Sequence, residues 1–269
     1  MQTIQVDDLK LAYRELGDGP SVLLLHGWPT SSYLWREVMK PIARANRVIA
    51  IDLPGFGASD KPAVRYTFEF FERALDAFLA QLGVDRLGLA VHDLGGPIGL
   101  HWAMERKDRV TKLALLNTLV YPEFSEATKE FVRACASPEL SVQLTSPAGL
   151  ESITRDGLAD PAKLSTEVLA AVQAPFTTPE ACRALADAGI GVSRKGFVQV
   201  ARWLPTLKIP VRVVYGANDR VLPDVAETMA RVKQDVPHAE VTVLPDCGHF
   251  LQEERPAEVG ALLARFFAP

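Results

Sequence analysis

Three residues whose side chains can carry out hydrolysis follow three short apolar segments of the chain. Asp93 lies in the sequence VHDLGG, Asp219 in GAND and His249 in DCGHF. A carboxylate on a sharp turn between a strand and a helix, with small residues around it, is typical of a nucleophile elbow. Because Asp is also favoured as the N-cap of a helix, Asp93 alone fits a capping role equally well. The acid and the histidine that follow it in the chain favour the nucleophile.

A carboxylate nucleophile indicates attack on a saturated carbon atom. Asp has an unperturbed pKa of ~3.9 and is ionised at neutral pH, so Asp93 needs no base to displace a leaving group. The product is an ester between the substrate and Asp93. We expect His249, oriented by Asp219, to activate a water molecule that hydrolyses this ester. A serine-type esterase reaction is disfavoured, since attack by Asp93 on an acyl carbon gives an anhydride.

Two further segments supply backbone groups to this predicted site. The apolar run SVLLL is followed by HGWP, and the next apolar run by the glycine-bearing loop DLPGFGASD. We expect the backbone N–H groups of Trp28 and Leu94 to form an oxyanion hole for the hydrolysis step.

Strand and helix patterns alternate along the chain, and the motifs begin where strands end. Strands are predicted at residues 9–13, 21–25, 47–51, 87–92, 113–117, 211–216 and 241–244. Helices are predicted at residues 31–45, 68–82 and 95–106 and from Pro256 onward. Uniformly apolar strands that alternate with helices are typical of a mostly parallel sheet with helices on both faces.

The alternation is interrupted between residues 121 and 205. This stretch is rich in Ala, Pro, Ser and Thr, contains helical patterns at residues 126–136 and 178–189, and has no strand pattern. We predict an inserted helical cap at residues 121–205 and a core domain made of residues 1–120 and 206–269.

The composition argues against several classes of function. The 269-residue chain is 48% hydrophobic with a net charge of -4, so no basic stripe is available for nucleic acid or an anionic membrane. No apolar run approaches the ~18 residues that span a bilayer, and the N-terminal residues show no signal-peptide pattern. We therefore expect a cytoplasmic protein whose partners are a small apolar molecule and water. Three scattered cysteines indicate neither disulfides nor a zinc cluster, and no metal or cofactor is predicted.

Four motifs resemble those of the α/β-hydrolases whose nucleophile is an aspartate. HGWPTSSYLWR, DLPGFGASDKP, HDLGGPIG and GHFLQEERP are similar to segments of haloalkane dehalogenases, and HGWP matches epoxide hydrolases at least as well. The resemblance covers essentially the whole chain outside the predicted cap. It implies an α/β-hydrolase fold with a mostly parallel eight-stranded sheet, flanking helices and an inserted helical cap. It also implies catalytic roles for Asp93, Asp219 and His249.

The chain departs from both families where the leaving group is held. Haloalkane dehalogenases usually hold the halide with two side chains. One is a Trp directly after the nucleophile, where this chain has Leu94, and the other is an Asn, a Glu or a second Trp, where this chain has Trp28. Epoxide hydrolases protonate the opening oxygen with cap tyrosines, and Tyr121 is the only tyrosine between residues 121 and 205. We predict a leaving-group pocket formed by Trp28, Tyr121 and Trp203, although Trp203 fits the packing of the cap equally well.

The resemblance favours hydrolytic dehalogenation of a small halogenated organic compound. Epoxide hydrolysis is the alternative within enzymes, but an alkoxide leaving group needs a proton and a halide does not. A protein of this fold that binds a small molecule without efficient turnover is the alternative outside enzymes. The complete set of nucleophile, acid and histidine favours an enzyme.

Several polar residues near the motifs are predicted to support the site without acting as acid or base. His26 and His92 are expected to form hydrogen bonds beside it. Asn117 ends the strand before the cap, where some dehalogenases carry their acid. An amide cannot serve as that acid. Asp246 is close to His249 in the chain, but the resemblance places the acid at Asp219, where this fold normally supplies it.

Overall fold

The computed structural model of the protein describes residues 1–269, which form one eight-stranded sheet with helices on both faces. The strands are β1 (Gln2–Val6), β2 (Leu9–Leu16), β3 (Ser21–Leu25), β4 (Arg47–Ile51), β5 (Leu87–Asp93), β6 (Val110–Thr118), β7 (Val211–Gly216) and β8 (Glu240–Leu244). They follow the order β1-β2-β4-β3-β5-β6-β7-β8. Strand β2 runs antiparallel to β1 and β4, and all other neighbours are parallel. The predicted mostly parallel sheet of eight strands is confirmed.

Twelve α-helices accompany the sheet, and six of them lie between β6 and β7. The helices are α1 (Met39–Ile42), α2 (Phe68–Gln81), α3 (Gly95–Glu105), α4 (Glu126–Ala136), α5 (Pro138–Leu144), α6 (Pro147–Asp156), α7 (Thr166–Gln173), α8 (Pro179–Ile190), α9 (Arg194–Trp203), α10 (Val225–Asp235), α11 (Leu251–Glu254) and α12 (Pro256–Phe267). None of them has the length and apolar character needed to cross a bilayer. We call residues 121–205, which contain α4 to α9, the cap segment.

Each helix of the cap segment begins after a Ser or Thr whose side chain accepts a hydrogen bond from a backbone N–H of the first turn. These N-caps are Ser125, Ser137, Ser146, Ser165, Thr178 and Ser193. Such a cap satisfies an N–H group that a helix start leaves unpaired and contributes ~1 kcal/mol. Helices α5, α6 and α8 also carry a proline in the first turn, where no intrahelical N–H bond is lost. The Ser, Thr and Pro content of this segment therefore reflects its many helix starts.

The central strands are buried on both faces. Leu23 and Leu25 of β3 belong to one apolar cluster, and Val22 and Leu24 belong to the other. Because side chains alternate between the faces of a strand, a strand covered on both sides has to be apolar throughout. The parallel strands β3, β5, β7 and β8 end at the same edge of the sheet, so the loops that follow them lie close together.

Two segments differ from the prediction. Strand β1 was not predicted, because it lies at the sheet edge with mostly exposed residues and its sequence, QTIQV, shows no clear apolar pattern. The single helix predicted over residues 31–45 is wrong. The structure has a 3₁₀ helix at Ser32–Trp35 and the four-residue α1 instead. Pro41 lacks the N–H that a continuous helix would bond to the carbonyl four residues earlier.

Candidate active site

Asp93 lies on a strained turn between β5 and α3. Its backbone adopts φ 49°, a left-handed conformation that is unfavourable for residues other than glycine, and only 8% of the residue is exposed. The turn is crowded by neighbouring backbone. A Cβ atom on Gly27 would lie 2.2 Å from Asp93 Oδ1, and one on Gly95 would lie 2.5 Å from the carbonyl oxygen of His26. The structure therefore has the tight strand-to-helix turn that the motif predicts.

The Asp93 carboxylate lies beside two backbone N–H groups. The N–H of Trp28 donates to Oδ1 at 2.7 Å, and the N–H of Leu94 helps to lower the pKa of the carboxyl group. These are the two amides that the sequence predicts for the oxyanion hole. The other carboxylate oxygen, Oδ2, lies 3.6 Å from His249 Nε2.

His249 and Asp219 come together at the carboxyl ends of β8 and β7. His249 Nδ1 donates to Asp219 Oδ2 at 2.8 Å, and Oδ2 also accepts a hydrogen bond from Asn117 Nδ2 at 2.8 Å. Asp219 Oδ1 accepts the backbone N–H groups of Val221 and Leu222, each at 2.8 Å. Four donors therefore fix the position of the Asp219 carboxylate, which in turn orients the imidazole ring. The role of Asn117 as one of these donors was not predicted.

Burial and charge act in opposite directions on the two reacting groups. Burial lowers the pKa of His249, but the charge and hydrogen bond of Asp219 and the charge of Asp93 outweigh it and raise the pKa above its usual value. Burial raises the pKa of Asp93, and the His249 charge and the two N–H donors oppose this rise without cancelling it. Asp93 and His249 thus favour each other's ionised form.

Two buried histidines hold the backbone around the site. His92 Nε2 donates to the carbonyl oxygen of His249 at 2.9 Å, and burial together with the His249 charge keeps the pKa of His92 well below its usual value. His26 Nδ1 donates to the carbonyl of Gly27 at 2.9 Å, while its Nε2 accepts the N–H of Leu53 at 3.0 Å. Burial lowers the pKa of His26. Both rings are placed to support the site as neutral hydrogen-bonding groups, as the sequence predicts.

A cavity of about 440 Å³ opens over Asp93 between the core and the cap segment. Of the 21 residues that line it, 14 are hydrophobic, so it suits an apolar ligand. Phe124, Phe131 and Phe197 of the cap segment contribute aromatic rings that were not predicted. The ring of Phe131 in α4 packs edge to face against the ring of Trp28, and the two ring centroids are 4.9 Å apart. The apolar spacing of α4 and α9 is a signal that could have indicated such rings, but it does not tell which face of a helix covers the site.

The structure brings one of the three predicted leaving-group residues to the cavity. Trp28 lines the cavity, but its indole N–H donates to the carbonyl oxygen of Leu185 at 3.0 Å and is therefore engaged. Tyr121 does not line the cavity, because its hydroxyl donates to Asp235 Oδ2 at 2.7 Å. Trp203 does not line it either and packs against the apolar cluster of the core. Tyr121 and Trp203 thus lie away from the cavity over Asp93.

Neither a metal cluster nor a disulfide is present among residues 1–269. No group of three or more His, Cys, Asp or Glu side chains is arranged as metal ligands. Cys135 and Cys247 are buried, Cys182 is partly buried, and all three are unpaired.

The geometry agrees with the comparison to protein families. Residues 20–256 match the family model of the α/β hydrolase fold. The chain belongs to the α/β-hydrolase family. This α/β-hydrolase has the predicted fold and is a hydrolase similar to the haloalkane dehalogenases.

Relatives of this α/β-hydrolase cover nearly its whole length. Haloalkane dehalogenase 2 of Mycobacterium bovis is 30% identical over 96% of this chain and 91% of its own. The crystal structure of haloalkane dehalogenase DbeA from Bradyrhizobium elkani has a TM-score of 0.86 at 28% identity and covers 98% of this chain and 96% of that chain. The structure of epoxide hydrolase CorEH has a TM-score of 0.84 at 25% identity and covers 100% of this chain and 98% of that chain.

Proposed function

We propose that this hydrolase uses Asp93 as a nucleophile to hydrolyse carbon–halogen bonds of small apolar halogenated compounds. One observation carries the proposal: Asp93 Oδ1 accepts the N–H of Trp28, whereas Oδ2 faces His249 Nε2 at 3.6 Å. Such an arrangement leaves one oxygen free to attack and prepares the other for the negative charge of the second step.

In the first step, Asp93 Oδ2 attacks the carbon that carries the halogen. A carboxylate electron pair forms the new carbon–oxygen bond as the carbon–halogen bond breaks, and the halide leaves with the electron pair of that bond. No proton moves, so His249 takes no part. The mostly apolar cavity can hold the carbon chain against Asp93.

In the second step, His249 Nε2 removes a proton from a water molecule that attacks the Asp93 carboxyl carbon. The negative charge that develops on Oδ1 is stabilised by the N–H groups of Trp28 and Leu94. When the intermediate collapses, the alcohol leaves with the proton from His249, and the Asp93 carboxylic acid then loses its proton to solvent, which restores the carboxylate. Esterification also removes the Asp93 charge that raises the pKa of His249, so the imidazole is more readily neutral when it has to act as a base.

The leaving-group region favours a halide over an epoxide oxygen. An opening epoxide develops an alkoxide that needs a proton, and the Tyr121 hydroxyl that was a candidate donor is bound to Asp235 outside the cavity. A halide leaves without protonation. The assembled Asp93, Asp219 and His249 also favour turnover over simple ligand binding.

A single turnover in ¹⁸O water, with enzyme in excess over 1-bromobutane, tests the proposal. The expected butanol is unlabelled, because its oxygen comes from Asp93, and the label appears in the peptide that contains Asp93. Labelled butanol with an unlabelled peptide would mean that water attacks the substrate directly and would overturn the nucleophilic role of Asp93.

A further inference from the structure

We propose that Glu254 is a positioning residue for His249: with Gly157 of the cap segment, it holds the loop that carries this histidine in place for ester hydrolysis. The inference rests on the proposed function, since it assigns an effect to the second step alone. We call residues 245–250, which connect β8 to α11, the histidine loop.

Glu254 is a buried carboxylate that bonds to the backbone on both sides of the boundary between core and cap. The residue is 6% exposed. Its Oε2 accepts the N–H of Gly248 at 2.6 Å, and its Oε1 accepts the N–H of Asp160 in the cap segment at 3.3 Å. Burying a carboxylate is costly unless donors replace its water, so these bonds determine where the side chain and the two backbones can lie.

The cap segment also binds the histidine loop directly. The carbonyl oxygen of Gly157 accepts the N–H of His249 at 2.7 Å and that of Phe250 at 3.3 Å. The two backbones approach so closely that a Cβ atom on Gly248 would lie 2.5 Å from the Gly157 carbonyl oxygen. Three consecutive N–H groups of the histidine loop, at residues 248 to 250, are thus bound by Glu254 and by the cap.

These contacts fix the backbone from which the His249 ring projects. Asp219 orients the ring at Nδ1, but it cannot by itself set the distance from Nε2 to the Asp93 carboxyl group. A displacement of about 1 Å at a reacting group can cost ~100-fold in rate. Since the first step does not use His249, a disturbed histidine loop slows ester hydrolysis and leaves halide release intact.

The test compares Glu254→Gln with Glu258→Gln, which removes the same charge from an exposed position on α12. A glutamine at residue 254 keeps one acceptor and turns an amide donor toward a backbone N–H. With 1-bromobutane, we expect Glu254→Gln to release the first equivalent of bromide at the wild-type rate and then to turn over about tenfold more slowly. The butyl ester should accumulate in intact mass spectra. Glu258→Gln should behave as wild type in both steps.

Two results would overturn the inference. One is a wild-type rate of turnover by Glu254→Gln. The other is an equal loss of rate in bromide release and in ester hydrolysis. If thermal unfolding shows that Glu254→Gln does not fold, Glu254→Asp takes its place, because it keeps the charge on a shorter side chain. This variant should also release the first bromide at the wild-type rate and hydrolyse the ester more slowly. Failure of the proposed function has a different signature, since His249→Gln would then form no butyl adduct at all.

Discussion

The indole N–H of Trp28 donates a hydrogen bond of 3.0 Å to the carbonyl oxygen of Leu185 in α8. The backbone N–H of the same tryptophan binds Asp93 Oδ1 at 2.7 Å. One residue therefore connects the predicted oxyanion hole to a helix of the cap segment. Its side chain serves this connection and is not free to bind a leaving group.

Replacing Trp28 by phenylalanine separates these two functions. The backbone N–H remains, whereas the bond to Leu185 and part of the contact with Phe131 are lost. We expect Trp28→Phe to lower the free energy of unfolding by about 1–2 kcal/mol and to change the rate of the bromide burst less than about threefold. Denaturant unfolding and stopped-flow bromide release measure the two effects. A loss of tenfold or more in the burst at unchanged stability would show that the indole does assist the leaving group.

The leaving group should affect the first step strongly. With the Trp28 indole engaged and Leu94 lacking a side-chain donor, neither of the two positions that hold the halide in haloalkane dehalogenases offers a free side-chain N–H here. Donors placed at a developing charge accelerate a reaction by about 10²–10³-fold. Without them, the rate of the halide burst should depend on the intrinsic leaving ability of the halide. We expect 1-bromobutane to react at least ~100-fold faster than 1-chlorobutane in single-turnover measurements. Nearly equal rates would indicate a halide donor that these contacts do not reveal.

His249→Gln should stop the reaction after the first step. The variant is expected to release one equivalent of bromide and to retain the alkyl group on Asp93, which intact mass spectrometry detects. Asp219→Asn should accumulate the same adduct less completely, because the imidazole loses orientation and charge stabilisation but remains present. Asp93→Ala is the control and should form no adduct.

The charge of Asp93 should be visible in the titration of His249. That charge helps to raise the pKa of His249, so Asp93→Asn should lower this pKa relative to the wild type. Titration of the imidazole resonances by NMR checks the direction of the shift. An unchanged or higher pKa in the variant would contradict the proposed pairing of the two groups.

The same coupling predicts that the acid limb of kcat and the titration of His249 in the free enzyme lie at different pH. His249 has to be neutral to act as a base, so ester hydrolysis declines as the pH falls through its pKa. In the ester, the Asp93 charge is gone and this pKa is lower than in the free enzyme. Where hydrolysis limits turnover, the acid limb of kcat should therefore lie at lower pH than the His249 titration observed by NMR in the free enzyme. Coincidence of the two would argue against a covalent intermediate on Asp93.

The sequence is informative where function depends on the ends of buried strands. Asp93 ends β5, and Asp219 and His249 follow β7 and β8; the parallel strands bring these carboxyl ends to one edge of the sheet. Their proximity follows from topology alone. The backbone N–H groups of Trp28 and Leu94, which are the predicted oxyanion-hole donors, could be placed near Asp93 for the same reason, because backbone groups need no assumption about side-chain direction.

The residues that the sequence misplaced depend on contacts between distant segments. Tyr121 was expected in the pocket because it is the only tyrosine between residues 121 and 205, but its hydroxyl binds Asp235 of α10, which is 114 residues away in the chain. Trp203 is one of several apolar residues of α9, and helical spacing alone does not tell which of them faces Asp93. The bond from Trp28 to Leu185 spans 157 residues and has no local signal either.

The contact between Gly157 and the histidine loop restricts how enzymes of this family can be recombined. Exchanging the cap segment between relatives is a natural route to new substrate ranges, but residue 157 belongs to the part that is exchanged. A Cβ atom at this position would lie 2.4 Å from the Phe250 ring, so a graft that brings any larger residue has to displace the aromatic ring next to His249. A chimaera that changes residues 121–156 and keeps the host residues from 157 onward should bind new substrates and still release its products.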